Sequence, residues 1–466
     1  MNLSSLVKNE LPKPPNLRNL IGPSFILLGL GLGSGELILW PYLSANFGLG
    51  IIWAAIIGIT FQFFLNMEIE RYTLATGESI FVGFARKFGN FAPIWFILST
   101  FIPWIWPGII AASATVLAKA FGFTYSKHLG IILLLLIGFI LSIGNVVYKT
   151  QEKIQKLIIL TGIPFILIIT LYLSKIKDWL ALLKGLAGMG EGFIFLPSDI
   201  PIATFLGALA YAGAGGNLNL AQSLYIKEKG YGMAKYSGKL TNIFRGQKQE
   251  VKLEGSTFNT TPENVQIFKS WWKKINIEHA IVFWVTGAFT MTLLSLLAYS
   301  SVYGNSKLEK GIDFVLNEAE VIGNSSFKPL SSIFLVVVGI MLFGTQFSVF
   351  GSTSRIMAEN LVIISKKKFK VQNLSQYFYI FLWLQVISGV VIFSLGFIEP
   401  LNLVVTGAVL NAVSMFIYSG LLLILNHTIL KTPLKPTITR TLIIFLAFIF
   451  YGGFSLYTIY QSFLNK

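Results

Sequence analysis

Among 466 residues there is no cysteine. That excludes disulfides, thiolate metal sites and a cysteine nucleophile, and it says nothing of compartment, because a core dissolved in lipid needs no covalent staples. Charge is scarce as well: Asp, Glu, Lys and Arg make up 12% of the residues, and there are three histidines. His128, His279 and His427 stand near the ends of apolar runs. Neither a His-Glu-x-x-His helix nor a paired intramembrane Asp accompanies them, so the chain is not expected to be an enzyme. The first 20 residues, with Lys8, Pro12, Lys13, Pro14, Pro15 and Arg18, lack an apolar stretch followed by a small-residue cleavage site, and no cleaved leader is expected.

What is plentiful is apolar side chain. Hydrophobic residues form 54% of the chain, and apolar runs of about 20 residues recur throughout, the pattern of an all-α, polytopic membrane protein. Eleven spans are expected, near 21–43, 50–67, 91–121, 129–147, 157–174, 200–225, 279–303, 331–360, 376–396, 401–426 and 441–461. Basic residues check the count. With the N-terminus inside, 26 of the 36 Lys and Arg fall in inside segments and 8 in outside ones, leaving Lys119 and Arg355 within spans. That bias is the positive-inside rule, which puts the N-terminus in the cytoplasm and the C-terminus outside, as for a prokaryotic plasma-membrane protein. The net charge of +16 is therefore topology, and no nucleic-acid partner is expected; the lipid bilayer is.

The expected organisation is a tail (1–20), a core (21–430) and an additional span 11 (431–466). The core divides into repeats near 21–174 and 200–426, with a cytoplasmic loop at 227–278 between spans 6 and 7. That loop is polar until Thr261-Pro262-Glu263, which has the form of a helix start with Thr as N-cap. Trp271-Trp272-Lys273-Lys274 then reads as an interfacial belt.

Two spans break the apolar rule. Gly29 to Trp40 reads Gly-Leu-Gly-Leu-Gly-Ser-Gly-Glu-Leu-Ile-Leu-Trp, which places four glycines and Glu36 at mid-membrane. Leu209 to Asn217 repeats the oddity in span 6 with Gly213, Gly215, Gly216 and Asn217. Glycine weakens helical backbone, and a carboxylate at that depth is costly unless it faces a cavity, an ion or a partner. If spans 1–5 and 6–10 are two halves, five spans apiece invert one against the other, and each half opens with its interrupted helix. Matching interruptions in inverted halves point to the binding site of a secondary transporter. Close helix packing explains Gly29, Gly31, Gly33 and Gly35 equally well. It does not require Glu36 or Asn217.

These residues carry a family resemblance over nearly all eleven spans. Gly22-Pro23-Ser24-Phe25, Thr76-Gly77-Glu78 after span 2, Leu206-Gly207-Ala208 opening span 6, and Gly344 with Gly351 in span 8 are similar, in order and spacing, to the Nramp (natural resistance-associated macrophage protein) divalent-metal transporters. The resemblance implies a 5+5 inverted repeat of the LeuT-like group, helices 1 and 6 unwound, and alternating access. The chain departs from the family at the site itself. The family's Asp-Pro-Gly-Asn falls on Gly33-Ser34-Gly35-Glu36, its Met-Pro-His falls near Ala214-Gly215-Gly216, and span 3 holds no acidic residue.

One carboxylate with Asn, Ser and carbonyl oxygens suits a hard cation, Mg²⁺ or Mn²⁺, better than a soft one. Glu36 and Asn217 are the expected metal ligands, with Gly33, Ser34, Tyr211, Gly213, Ala214 and Gly215 completing a substrate site. No cofactor is expected apart from the transported ion. The alternative is an amino acid or other small amine or carboxylate, held by freed N–H groups and helix N-termini. Gln62, Glu68, Gln346, Arg355, Glu359 and Asn411 are expected along the pathway or its gates. Arg355 and Glu359, four apart on one helical face, are expected to pair with each other. Asn66, Asn145 and Thr406 complete the intramembrane polar set, and Pro103 with Pro107 predicts a kink in span 3 beside Trp104.

Overall fold

The computed structural model describes residues 3–20, 22–124, 126–143, 147–237, 252–304, 311–365 and 368–464. Asn145, the middle of the polar loop, and Lys307, Lys310, Lys366, Lys367 and Lys466 of the charge tally lie outside the described residues.

Ten described helices are long and apolar enough to cross a membrane. They are span 1 (Pro23–Phe47), span 2 (Leu49–Thr76), span 3 (Phe91–Phe121), span 4 (Ser126–Ile143), span 5 (Tyr148–Leu173), span 7 (Pro262–Val302), span 8 (Lys328–Ile364), span 9 (Val371–Ser394), span 10 (Pro400–Ile429) and span 11 (Ile438–Tyr460). The sixth crossing is split. Its first half, Ile202–Ala210, ends in an irregular turn, and the chain resumes as a tight helix at Gly216–Ala221 and an α-helix at Gln222–Lys229. With it the expected eleven are complete.

Span 1 departs from expectation. It is not unwound: the α-helix Pro23–Gly31 passes into a π-helix over Leu32–Leu39 and returns to α at Trp40–Phe47. The physical reason is hydrogen-bond economy. Broken backbone in a low-dielectric core needs polar partners, whereas π-winding widens the helix and keeps the groups paired. Span 7 does the same at Ala280–Val285. Span 3 turns out of line between Trp104 and Gly108, at the site of Pro107, as its prolines foretell.

Spans 1, 6 and 8 lie at the centre. Span 1 is buried from Ile26 to Pro41 and packs on spans 5, 6, 7 and 8, while spans 4, 5, 9 and 11 leave apolar faces exposed. Those faces are wide and aliphatic, as lipid contact requires. The N-terminal tail folds back under the lysine-rich face. Val7–Lys8 pairs in parallel with Ser256–Thr257, and Leu11 is buried. The interfacial reading of Trp271 is corrected here: it is 2% exposed, and its indole N–H donates to the Pro12 carbonyl at 2.6 Å. The tail, not lipid, covers that ring.

Candidate functional site

The break in span 6 is built from glycine. Gly213 (φ 126°), Gly215 (φ 76°) and Gly216 (φ 53°) adopt backbone that side-chain-bearing residues avoid. The freed groups find partners in span 2. The Gln62 amide nitrogen donates to the Ala210 carbonyl at 3.0 Å, and its carbonyl oxygen accepts from the Gly215 N–H at 3.1 Å. One side chain thus caps both ends of the interruption.

Span 1 presses its glycines against this break. A Cβ on Gly35 would stand 1.8 Å from the Tyr211 carbonyl oxygen, and one on Gly31 would stand 2.4 Å from that of Gly213. Gly33 faces Thr345 of span 8, whose hydroxyl donates to the Gly29 carbonyl at 2.9 Å. The packing reading of these glycines and the site reading therefore coexist. The side chains are removed so that two backbones can meet.

Tyr211 stacks on Trp104 of span 3, with ring centroids 5.4 Å apart, and its hydroxyl accepts from Asn411 Nδ2 at 2.9 Å. Asn217 Nδ2 donates to Ser99 and Thr100 of span 3, at 2.8 and 3.0 Å. The Glu36 Oε1 lies 3.5 Å from where a Cβ on Gly287 would sit, so span 7 stands against one side of the carboxylate. No hydrogen bond joins Glu36 to Asn217 among the described residues. Gly33, Ser34, Glu36, Tyr211, Gly213, Ala214, Gly215 and Asn217 are all buried.

Several buried polar atoms here have no hydrogen-bond partner among the described residues: Ser34 Oγ, both Glu36 oxygens, Asn217 Oδ1, Asn411 Oδ1 and Gln346 Nε2. Such atoms are uncommon in folded proteins, and each marks strain or a place where water, an ion or a ligand belongs. Glu36 is the sharpest case, because an unpaired ionised carboxylate at that depth is far costlier than an unpaired amide. Among the described residues, no group of three or more His, Cys, Asp or Glu stands together as a metal cluster. Any metal at this site would rest on one carboxylate, neutral oxygens and its own water.

Toward the lysine-rich face, charged side chains pair across spans. Arg355 and Glu359 do not pair with each other. Arg355 reaches Glu228 at 2.7 Å, and Glu359 lies 3.6 Å from Lys227 and accepts a short hydrogen bond from Ser79. The second half of span 6 brings Lys227 and Glu228 up between these two side chains, where each finds an opposite charge; the helical spacing alone could not reveal that. Lys229 adds a third tie, to Glu152 of span 5 at 3.1 Å. Glu68, expected along the pathway, binds Arg71 and, at 3.3 Å, Arg440 of span 11.

Neither a family model nor a curated protein matches the chain. Its fold does match solved structures. A crystal structure of a manganese transporter from Eremococcus coleocola superposes with a TM-score of 0.67 at 13% identity, over 97% of this chain and 89% of that one. Mhp1, a nucleobase-cation-symport-1 family transporter solved closed with bromovinylhydantoin bound, gives 0.54 at 14% identity over 98% and 96%. MhsT in complex with L-phenylalanine gives 0.51 at 13% identity over 94% and 98%. The chain has the inverted-repeat, LeuT-like fold that these transporters share.

Proposed function

We infer that the chain is a secondary transporter that moves a divalent cation, Mg²⁺ or Mn²⁺, across a membrane by alternating access. One observation carries this reading: Glu36 is a buried carboxylate with no hydrogen-bond partner among the described residues, one residue from the point where span 1 meets the break in span 6. A cation neutralises it where no Lys, Arg or His does. Ser34, Asn217 Oδ1 and the carbonyls of Tyr211 to Ala214 supply further oxygens of the hard type. The matching Eremococcus coleocola structure is that of a manganese transporter, which points the same way.

Opening on the lysine-rich side, which the charge bias makes cytoplasmic, requires the Arg355–Glu228, Lys227–Glu359 and Lys229–Glu152 contacts to part. The π-wound Leu32–Leu39 is the natural hinge, since π-turns are rare within helices and recur at functional sites. The orientation follows with the N-terminus in the cytoplasm and the C-terminus outside.

An organic amine or amino acid is the second reading, favoured by the Trp104–Tyr211 stack beside the break. Uptake into liposomes separates the two. With the purified chain, Mn²⁺ or Mg²⁺ should accumulate, and Glu36→Gln should abolish it. Unaltered uptake by that variant removes Glu36 from the site, and uptake of an amino acid but of neither ion replaces the cation reading with the organic one.

A further inference from the structure

The most concentrated set of buried titratable groups lies away from the break, toward the lysine-rich face. Ser24 Oγ of span 1 donates to Glu278 Oε2 at 2.5 Å and sits 2.8 Å from His279 Nδ1, both on span 7. His279 Nδ1 is 3.7 Å from Glu70 Oε1 of span 2, which accepts from Gln222 Nε2 of span 6 at 2.7 Å. Four spans meet in five side chains. Glu278 is 6% exposed, Glu70 and Gln222 1%, and Ser24 and His279 not at all.

A hydroxyl has one proton, and that restricts the chain of bonds. While Ser24 donates to an ionised Glu278, it accepts from His279, whose Nδ1 then carries hydrogen. Two carboxylates and a neutral imidazole remain, and four atoms have no partner among the described residues: Glu278 Oε1, Glu70 Oε2, His279 Nε2 and Gln222 Oε1. The cluster has lone pairs to spare and lacks donors. The imidazole lies between the rings of Phe63 and Phe283, with centroids 5.6 and 4.8 Å away, so it is held in plane and cannot swing out to find others.

We propose that Ser24, Glu70, Gln222, Glu278 and His279 form a proton-binding site that clasps the inner end of span 1. The proton passes from hydronium to Glu278 Oε1 and leaves water behind. Ionised Glu278 accepts from Ser24 with charge assistance, at the N-terminal end of span 1 where an anion is favoured. Protonated, it is a weak acceptor and no longer complements that helix end. The surroundings are mixed in charge: Glu70 from span 2, His279 on span 7, Lys229 and Tyr231 from and after span 6, and Lys156 with Glu152 from span 5. Burial disfavours the ionised form of Glu278; the Ser24 hydroxyl, the Gly22 amide and the two lysines favour it, and it is the form that clasps. Acidification therefore frees the segment Pro23–Gly31, which ends where the π-wound hinge begins. The clasp works in this way whatever the cargo is.

Because the chain has no cysteine, a single introduced thiol reports on the clasp. Leu27 is fully buried in span 1, so Leu27→Cys should react slowly with N-ethylmaleimide in liposomes at about pH 8 and about tenfold faster at about pH 5.5, the size expected for losing one charge-assisted hydrogen bond. Rates are normalised to Ser5→Cys on the exposed tail, and thiol chemistry alone would slow the reaction in acid. Adding Glu278→Gln should give the fast rate at every pH. Ser24→Ala should do the same without altering any titratable group, and it serves where Glu278→Gln does not fold. A flat profile for Leu27→Cys, or a pH dependence that survives Ser24→Ala, overturns the proposal.

Discussion

Gly35 lies flat against Tyr211: the carbonyl oxygen of Tyr211 occupies the space that a side chain on Gly35 would need, 1.8 Å from an ideal Cβ. This contact brings a π-wound helix and a broken helix together backbone to backbone, at the level where Glu36 and Asn217 are buried. Gly35→Ala must push spans 1 and 6 apart. Because the obstructing atom belongs to the backbone, no rotamer change relieves it. A loss of about 1–3 kcal/mol is expected from overpacking, read as a lowered melting temperature in detergent, together with loss of transport.

Gln62 holds the break in shape from outside. Gln62→Leu keeps much of the volume but leaves the Ala210 carbonyl and the Gly215 N–H without their partner. Each buried orphan costs about 1–3 kcal/mol, so the variant should melt well below the wild type.

The ion pairs on the lysine-rich side predict a coupling energy. Glu228→Gln removes the charge opposite Arg355, and Arg355→Gln the charge opposite Glu228, where both side chains are largely buried. A double-mutant cycle by thermal unfolding should give an interaction of about 0.5–3 kcal/mol. The same cycle on Arg355 and Glu359, which share a helix face without touching, should give a smaller value. Equal values would show that the charge on span 8 acts locally and that span 6 is not tied down.

Trp104→Ala separates the two cargo readings by affinity. The ring stacks on Tyr211 and offers no oxygen to a cation. If Mn²⁺ or Mg²⁺ is the cargo, the variant should lose stability while ion affinity stays within a few-fold. A loss of more than about tenfold in solute affinity, near the energy of one aromatic contact, would favour the organic solute.

How much of this could be read from residues alone follows from where the information sits. The eleven crossings are legible because lipid imposes apolar length on each, and the basic bias is legible because insertion imposes it on the loops. The break at Gly213 to Gly216 is legible because only glycine populates that backbone freely. The winding of span 1 is not, since Gly29, Gly31, Gly33 and Gly35 have the same pattern whether the helix opens or its neighbours close in; the Tyr211 carbonyl decides it, and that lies far along the chain. Arg355 and Glu359 look like a local pair because their spacing is visible, whereas Glu228 and Lys227 are brought to them by tertiary packing. Ser24, Glu70, Gln222, Glu278 and His279 carry no motif, being scattered over four spans. Only the burial of two carboxylates near a histidine marks them, and burial is not written in sequence.

The proposed cation transport depends on neutralisation of Glu36 by a bound ion. Titration calorimetry of the purified chain with Mn²⁺ and with Mg²⁺, repeated on Glu36→Gln, tests this directly. Saturable binding of at least one ion by the wild type, lost in the folded variant, is the predicted result. Binding of equal affinity in both proteins, or saturable binding of an amino acid with none of either ion, would contradict it.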